Sequence, residues 1–526
     1  MPLIVVYLLA AATGYISLSQ EIIWIKIVAS ADHGRPETFA HALGFYLLGL
    51  AAGALFGRRI QERLKLGSLR YVAVMLAAGG LIFFLGMPAG AWLHTRNDGA
   101  GLLFLLVATG VTSFAMGGVF PLLCAEGVRD GGATGSGVSR VIVANVLGAT
   151  AGPLLTGFVL LQVETLQHNV LLLTLGCFVM AEILWMAAPE ARWRRRGVVT
   201  GALLALIAVV AQPTLYTLFL ESLHFGTDGY TPGYKYVVQG RSAIVGVWPS
   251  LREYGDGLYD GGFFLNPVTN ENMITRAYFL SALHPRPRRV LEIGLGTGSW
   301  ARVLADNPDV DSLTIVELAP EYVQMMFHFP SVASVLDDPK VRLHFDDGRR
   351  WMARNPERRF DAIVINGTWH WRSGATHILS AEFLREAKSH LAPGGVLYYN
   401  TTGSLDIVYT AAGVFAHVTR YLNFVAASDT PFAVDRATRA SAFARYRTAD
   451  GTAPFAPGGD YAEALPEMLD TPTDDVAPEF RRANDLWFIT DDNMATEFKA
   501  NGAGKWWHDL PERVWRPERA WPHVLF

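Results

Sequence analysis

The chain has 526 residues, 51% of them hydrophobic and only 17% charged, with a formal net charge of −4. That charge, and the lack of a concentrated basic face on the C-terminal half, give no reason to expect a nucleic-acid partner. The only cysteines, Cys124 and Cys177, both fall in apolar stretches, which argues against a disulfide framework or a thiolate metal site.

Nearly all the apolar excess lies before about residue 217. Windows near 3–28, 38–57, 70–94, 101–126, 138–163, 168–188 and 197–217 each hold ~20 mostly apolar residues, the length that crosses ~30 Å of hydrocarbon. They predict a helical membrane bundle of about seven spans. The first is too long for a signal-peptide core and lacks a basic start and a small-residue cleavage site, so it is read as retained. Gly49, Gly53 and Gly57, and again Gly148, Gly152 and Gly157, recur at spacings that let helix backbones pack closely in lipid. Gln20, Glu21, Asn145 and Glu182 are polar groups inside spans, where a carboxylate is costly unless paired or wetted. Pairing between helices is preferred to a transport or ligand role for them.

Arg58, Arg59, Arg63, Lys65 and Arg70 separate the second and third windows, and Arg192, Arg194, Arg195 and Arg196 the sixth and seventh. The alternate loops carry little more than Arg35 and Arg96. Basic loops face the cytoplasm, so an odd number of spans in a plasma (bacterial inner) membrane puts everything after residue 217 on the extracytoplasmic side.

Residues 290–317, VLEIGLGTGSWARVLADNPDVDSLTIVE, predict a buried strand, a glycine-rich turn, a short helix and a second strand ending on an acid. Gly294, Gly296 and Gly298 allow a ligand close to the backbone, and Glu317 is placed to accept from both hydroxyls of a ribose. There is no P-loop lysine and no G-x-G-x-x-G. The pattern Glu292-x-Gly294-x-Gly296-x-Gly298 instead resembles the first motif of class I S-adenosylmethionine-dependent transferases. Further on, Asp347 and Gly348 follow a third apolar stretch, where such a fold places an acid against an adenine amino group. FDAIVING (360–367) supplies a fourth strand. Leu391–Gly395 reads as a helix end with a glycine turn, and 396–399 as the next strand. Strands alternate with helical patterns over roughly 120 residues, as a doubly wound, Rossmann-like parallel sheet requires.

The chain as a whole resembles fused membrane proteins with a spermidine-synthase-like domain. The resemblance rests on SLSQEIIWIKIV with Glu21 and Trp24, GFYLLGLAAGALFGRRI, QGRSAIVGVW, DDPKVRLHFDDGRRWM and ITDDNMATEF (489–498). It implies a membrane domain (1–217), a small β-domain (218–275), a Rossmann-like nucleoside-binding domain (276–435) and a C-terminal excursion and tail (436–526). It also implies S-adenosylmethionine or its decarboxylated form as cofactor, held by Glu292, Gly294, Gly296, Gly298, Glu317, Asp347 and Gly348. S-adenosylmethionine is a cytoplasmic metabolite, so either one window does not cross fully, the C-terminal domain lies outside and uses something else, or the membrane domain supplies the cofactor.

The chain departs from that family where a polyamine would be held. Asn366 and Trp369 stand in place of two acids, and Thr275 and Arg276 in place of a His-Glu pair. Polyamine carboxylates are therefore missing from their usual positions, and the acceptor is expected to be something other than a standard polyamine. Trp369 and Trp371 suit stacking, His370 or His377 proton movement, and Arg372 an anion; Tyr398, Tyr399 and Asn400 follow on the same sheet edge. Asn366, His370 and Tyr398 are the candidate catalytic residues. A non-catalytic sensor or transport subunit, and a lyase acting on the sulfonium compound, are the competing function classes. The stretch 435–485 reads as a surface excursion or lid, and the tail KWWHDLPERVWRPERAWPHVLF as a segment lying on the bilayer interface.

Overall fold

The computed structural model describes residues 3–127, 134–187, 190–229, 233–367, 369–448, 450–494 and 496–498. They divide into two compact units, one running to Tyr234 and including Gln239–Ile244, the other comprising Lys235–Val238 and the residues from Val245 onward. The proposed tail lies outside the described residues.

The first unit is helical. Among the described residues seven helices are long and apolar enough to cross a membrane: Leu3–Ala31, Pro36–Arg63, Ser68–His94, Asp98–Gly127, Gly135–Val163, Leu166–Met186 and Ala191–Leu215. Glycine decides how closely two of them approach: a Cβ on Gly148 would stand 1.8 Å from the Ala11 carbonyl oxygen, and nothing but hydrogen fits. The same interface is tied by Asn145, whose amide donates to Ala10 O at 3.0 Å. Gln20 donates to Cys177 Sγ at 3.6 Å. Polar groups kept from water at membrane depth are costly unless they find partners, and these two find theirs across helices. Arg70 meets Glu190 at 2.5 Å and lies 5.3 Å over the Trp193 ring, so the two basic loops share one end of this unit. At another loop, Asp98 accepts from the backbone and hydroxyl of Thr227 at 2.9 and 2.8 Å, which fixes the chain's exit from the last helix beside the third interhelical turn.

The second unit begins with a sheet in the order β1 (Tyr236–Gln239), β2 (Ile244–Val247), β3 (Arg252–Gly255) and β4 (Leu258–Gly262). The β3–β4 hairpin turns on Asp256 and Gly257, both at positive φ (48° and 84°), as a two-residue primed turn demands. A larger sheet follows: β5 (Arg289–Ile293), β6 (Ser312–Glu317), β7 (Val341–Phe345), β8 (Phe360–Ile365), β9 (Leu391–Asn400), β10 (His417–Tyr421) and β11 (Phe424–Ser428). Its order is β10-β11-β9-β8-β5-β6-β7. Strands β5 to β9 are parallel, and β11 runs antiparallel to both neighbours, so the sheet is mixed rather than wholly parallel. Runs such as Val-Leu-Glu-Ile and Leu-Thr-Ile-Val are buried on both faces, which is why they read as continuous apolar strands.

Two details differ from the sequence reading. Leu391–Gly395 is not a helix end; the preceding helix stops at Ser389, and β9 already pairs at Leu391, shifting register before Ala362↔Val396. Gly394, at φ 77°, absorbs that irregularity. The 435–485 stretch is not a free excursion either. Phe455 is 3% exposed and rings with Tyr278, Phe443, Tyr446 and Tyr461, while Arg439 donates to the carbonyls of Val434 and Thr471. Aromatic residues at irregular spacing gave no periodic signal there, yet they make a core.

Candidate functional site

The strand order reverses between β5 and β8, and ligands of open α/β sheets bind at the carboxyl ends beside such a point. Gly294, Gly296 and Gly298 leave β5 there with φ of 85°, 51° and 76°, values that L side chains resist. A Cβ on Gly294 would lie 3.5 Å from Asn366 O, so the turn after β5 and the first residue beyond β8 are neighbours. Glu317 closes β6. Its Oε2 accepts from Leu295 N at 2.6 Å and its Oε1 from Ala319 N at 2.7 Å. Burial pushes this carboxyl up, and the backbone N–H donors pull it back. The backbone N–H groups of Gly296 and Leu318 face the same carboxylate.

Asp347 caps the helix Gly348–Arg354, accepting from Arg350 N at 2.8 Å. A Cβ on Gly348 would come within 2.5 Å of Ile293 Cγ2, so glycine is what lets this helix seat against β5. Glu292 lies within β5 with neither carboxylate oxygen hydrogen-bonded; burial and the nearby Glu317 push it well above the usual carboxylate range. It underlies the glycine turn, while Glu317 is the acid that grips it.

The expected catalytic residues do not converge equally. Asn366 Oδ1 receives Asn400 Nδ2 at 3.4 Å, at the sheet edge beside the glycine turn. His370 is buried, with Nδ1 2.6 Å from Thr402 Oγ1. Tyr398 is fully buried between Trp300 and Phe424 and its hydroxyl donates to Arg276 O at 3.1 Å, so the structure does not bring it to the other two. Arg276 does not confront a pocket. Its guanidinium, 4% exposed as a residue, donates to Met273 O, Asn272 O and Asn423 Oδ1 and lies 5.0 Å from the Phe424 ring. Arg372, considered for an anion, instead meets Asp256 Oδ2 at 2.7 Å.

Two buried acids of the small sheet lie near Arg372 and the glycine turn. Asp260 on β4 accepts a short hydrogen bond from Tyr322, on the helix Pro320–Met326. Burial raises its pKa to about 6, although Arg372 and Tyr322 draw it down. Glu253 on β3 lies nearby, fully buried. Trp369 Nε1 donates to Tyr259 O at 3.1 Å, stitching the loop to β4. From the other side Glu497 accepts from Gly374 N and Thr376 N at 3.1 and 2.9 Å. Sequence reasoning did not single out Glu253, Asp260, Tyr322 or Glu497. The Asp-Gly hairpin signal in REYGDGLYDGG was there to find β3 and β4; no local signal shows that their acids face the glycine turn. Among the described residues no group of His, Cys, Asp and Glu is arranged to hold a metal.

Residues 270–442 match the family model described as a methyltransferase domain. The polyamine aminopropyltransferase of Mycobacterium tuberculosis (strain CDC 1551 / Oshkosh) is 26% identical over 453 residues, covering 81% of this chain and 84% of that protein. Residues 235–526 make up little more than half the chain, so this alignment runs well into the helical half. The polyamine aminopropyltransferase of Corynebacterium efficiens is 26% identical over 435 residues, 78% of each chain. A crystal structure of spermidine synthase in complex with the transition-state analogue AdoDATO is 18% identical, covering 45% of this chain and 85% of that one with a TM-score of 0.36. The family model and the curated relatives support a transferase with a methyltransferase- and spermidine-synthase-like C-terminal domain.

Proposed function

We propose that the protein is a membrane-bound transferase that uses S-adenosylmethionine or its decarboxylated form and acts on an acceptor other than the standard polyamines. The observation that carries the donor side is Glu317, held by Leu295 N and Ala319 N beside three positive-φ glycines at the sheet's reversal point. That arrangement suits a nucleoside whose ribose bridges the carboxylate and whose chain runs over the turn. On the acceptor side Asn366 is neutral, so it can orient a nucleophile but cannot take its proton or balance its charge. Catalysis then rests mainly on aligning nucleophile and sulfonium.

Incubating the purified full-length chain with each labelled donor and a metabolite extract tests this. Label transferred to an extract component supports it; binding without turnover points to the sensor reading, and donor breakdown without an acceptor to a lyase. Putrescine transfer at ~1 per second or faster would show the polyamine exclusion to be wrong. We further propose that the seven apolar helices insert in a bacterial plasma membrane with both basic loops in the cytoplasm, which leaves the transferase domain outside. A periplasm-only reporter fused after Phe526 should be active; activity of a cytoplasm-only reporter there would refute that orientation.

A further inference from the structure

Glu253 is 0% exposed and, among the described residues, neither of its carboxylate oxygens has a hydrogen-bond partner. A buried carboxylate left this way is costly, and native proteins keep such a group where something else completes it. Its position says what that is. Gly296, at φ 51°, brings the turn after β5 into contact with the small sheet: a Cβ there would stand 4.0 Å from Glu253 Oε2 and 3.9 Å from Asp260 O. Glu253 therefore faces the glycine turn from the small sheet, across from the sheet edge that carries Glu317.

We propose that Glu253 is the cation-recognition residue of this site, taking up the positive charge on the chain attached to the nucleoside's 5′ carbon. The inference rests on the reading of the glycine turn and Glu317 as a nucleoside pocket. The groups facing Glu253 fit an incoming cation. Asp260 on β4 and Glu317 at the end of β6 are acids, and the Tyr322 hydroxyl from the neighbouring helix is already committed to Asp260. Arg372 is committed to Asp256 and also faces Asp260 and Tyr322. Among the described residues Glu253 therefore has two acidic neighbours and no basic partner, and burial together with those neighbours pushes its carboxyl well above the usual range. That bias toward the neutral form holds while no cation is present. A sulfonium or ammonium reverses the balance, the carboxylate forms, and one proton leaves to solvent as the ion pair closes. The donor favoured is the one whose chain carries positive charge and no carboxylate.

The test is calorimetry on the full-length chain in buffers of different ionisation heat, with decarboxylated S-adenosylmethionine as the cationic probe and 5′-methylthioadenosine as the neutral one. The wild type should bind the cationic probe more tightly and release close to one proton, and none with the neutral probe. Glu253→Gln should leave the neutral probe within about twofold and weaken the cationic one roughly 10- to 150-fold, the range for a hydrogen bond to a charged group, with proton release abolished. Glu253→Asp should restore part of both. Equal discrimination and equal proton release in wild type and E253Q overturn the assignment while leaving the nucleoside pocket standing. Failure of the wild type to bind 5′-methylthioadenosine overturns the pocket itself. Should E253Q not fold, equal affinity of the wild type for the cationic and neutral probes alone refutes the proposal.

Discussion

Glu317→Gln is the substitution that bears most directly on the nucleoside site. The wild-type carboxylate holds two backbone donors, Leu295 N and Ala319 N, at 2.6 and 2.7 Å, one on each oxygen. Glutamine keeps the shape and one acceptor oxygen, and turns an NH2 toward the other donor. One of the two ribose hydroxyls loses its charged acceptor, a change of about 1.5–3 kcal/mol for a hydrogen bond to an ionised group. At 25 °C that weakens binding roughly 10- to 150-fold. The glycine turn should persist, since one backbone bond and the β5–β6 ladder remain. Titration of the detergent-solubilised chain with 5′-methylthioadenosine measures the dissociation constant, and a thermal melt checks folding. An unchanged constant in a folded variant would show that Glu317 supports the turn and touches no ligand.

Three further outcomes follow from separate parts of the molecule. Glu497→Ala removes the acceptor for Gly374 N and Thr376 N, so hydrogen exchange at those amides should accelerate by about tenfold or more, while the sheet stays protected; unchanged exchange there would sever Glu497 from the loop. Gly148→Ala, whose methyl would meet Ala11 O at 1.8 Å, should destabilise the helical unit by about 1–3 kcal/mol in detergent melts. Gly157→Ala, with nothing within 4 Å, should be neutral, and equal effects would refute the packing argument. The last concerns pH. Asp260 titrates at about 6 in the fold against about 3.9 in the unfolded chain, so within that window the folded state holds more protons. Its contribution to stability therefore falls as pH rises from about 4 through about 6, and Asp260→Asn should flatten that part of a melting-temperature profile. A profile identical to wild type would count against a raised Asp260.

The seven apolar stretches, the glycine turn and the acid ending β6 were all legible residue by residue, because each depends on local chemistry; that Asp347 caps a helix was not read there. Chain length and hydropathy make a helix of spanning length, positive φ calls for glycine, and a strand end needs a side chain within a few residues of its partner. Arg276 shows where such reading stops: its charge is plain in the sequence, but only the packing of Phe424 and the carbonyls of Asn272 and Met273 shows that it is spent internally. The same holds for the acids of the site. Glu253 and Asp260 stand far from Glu317 along the chain, on strands whose alternation says nothing of what they face, and Glu497 reaches Gly374 from the far end of the domain. Their convergence is a product of the β3–β4 hairpin meeting the carboxyl edge of the large sheet, and a contact between distant segments has no local signature because its energy is gained only once both surfaces exist.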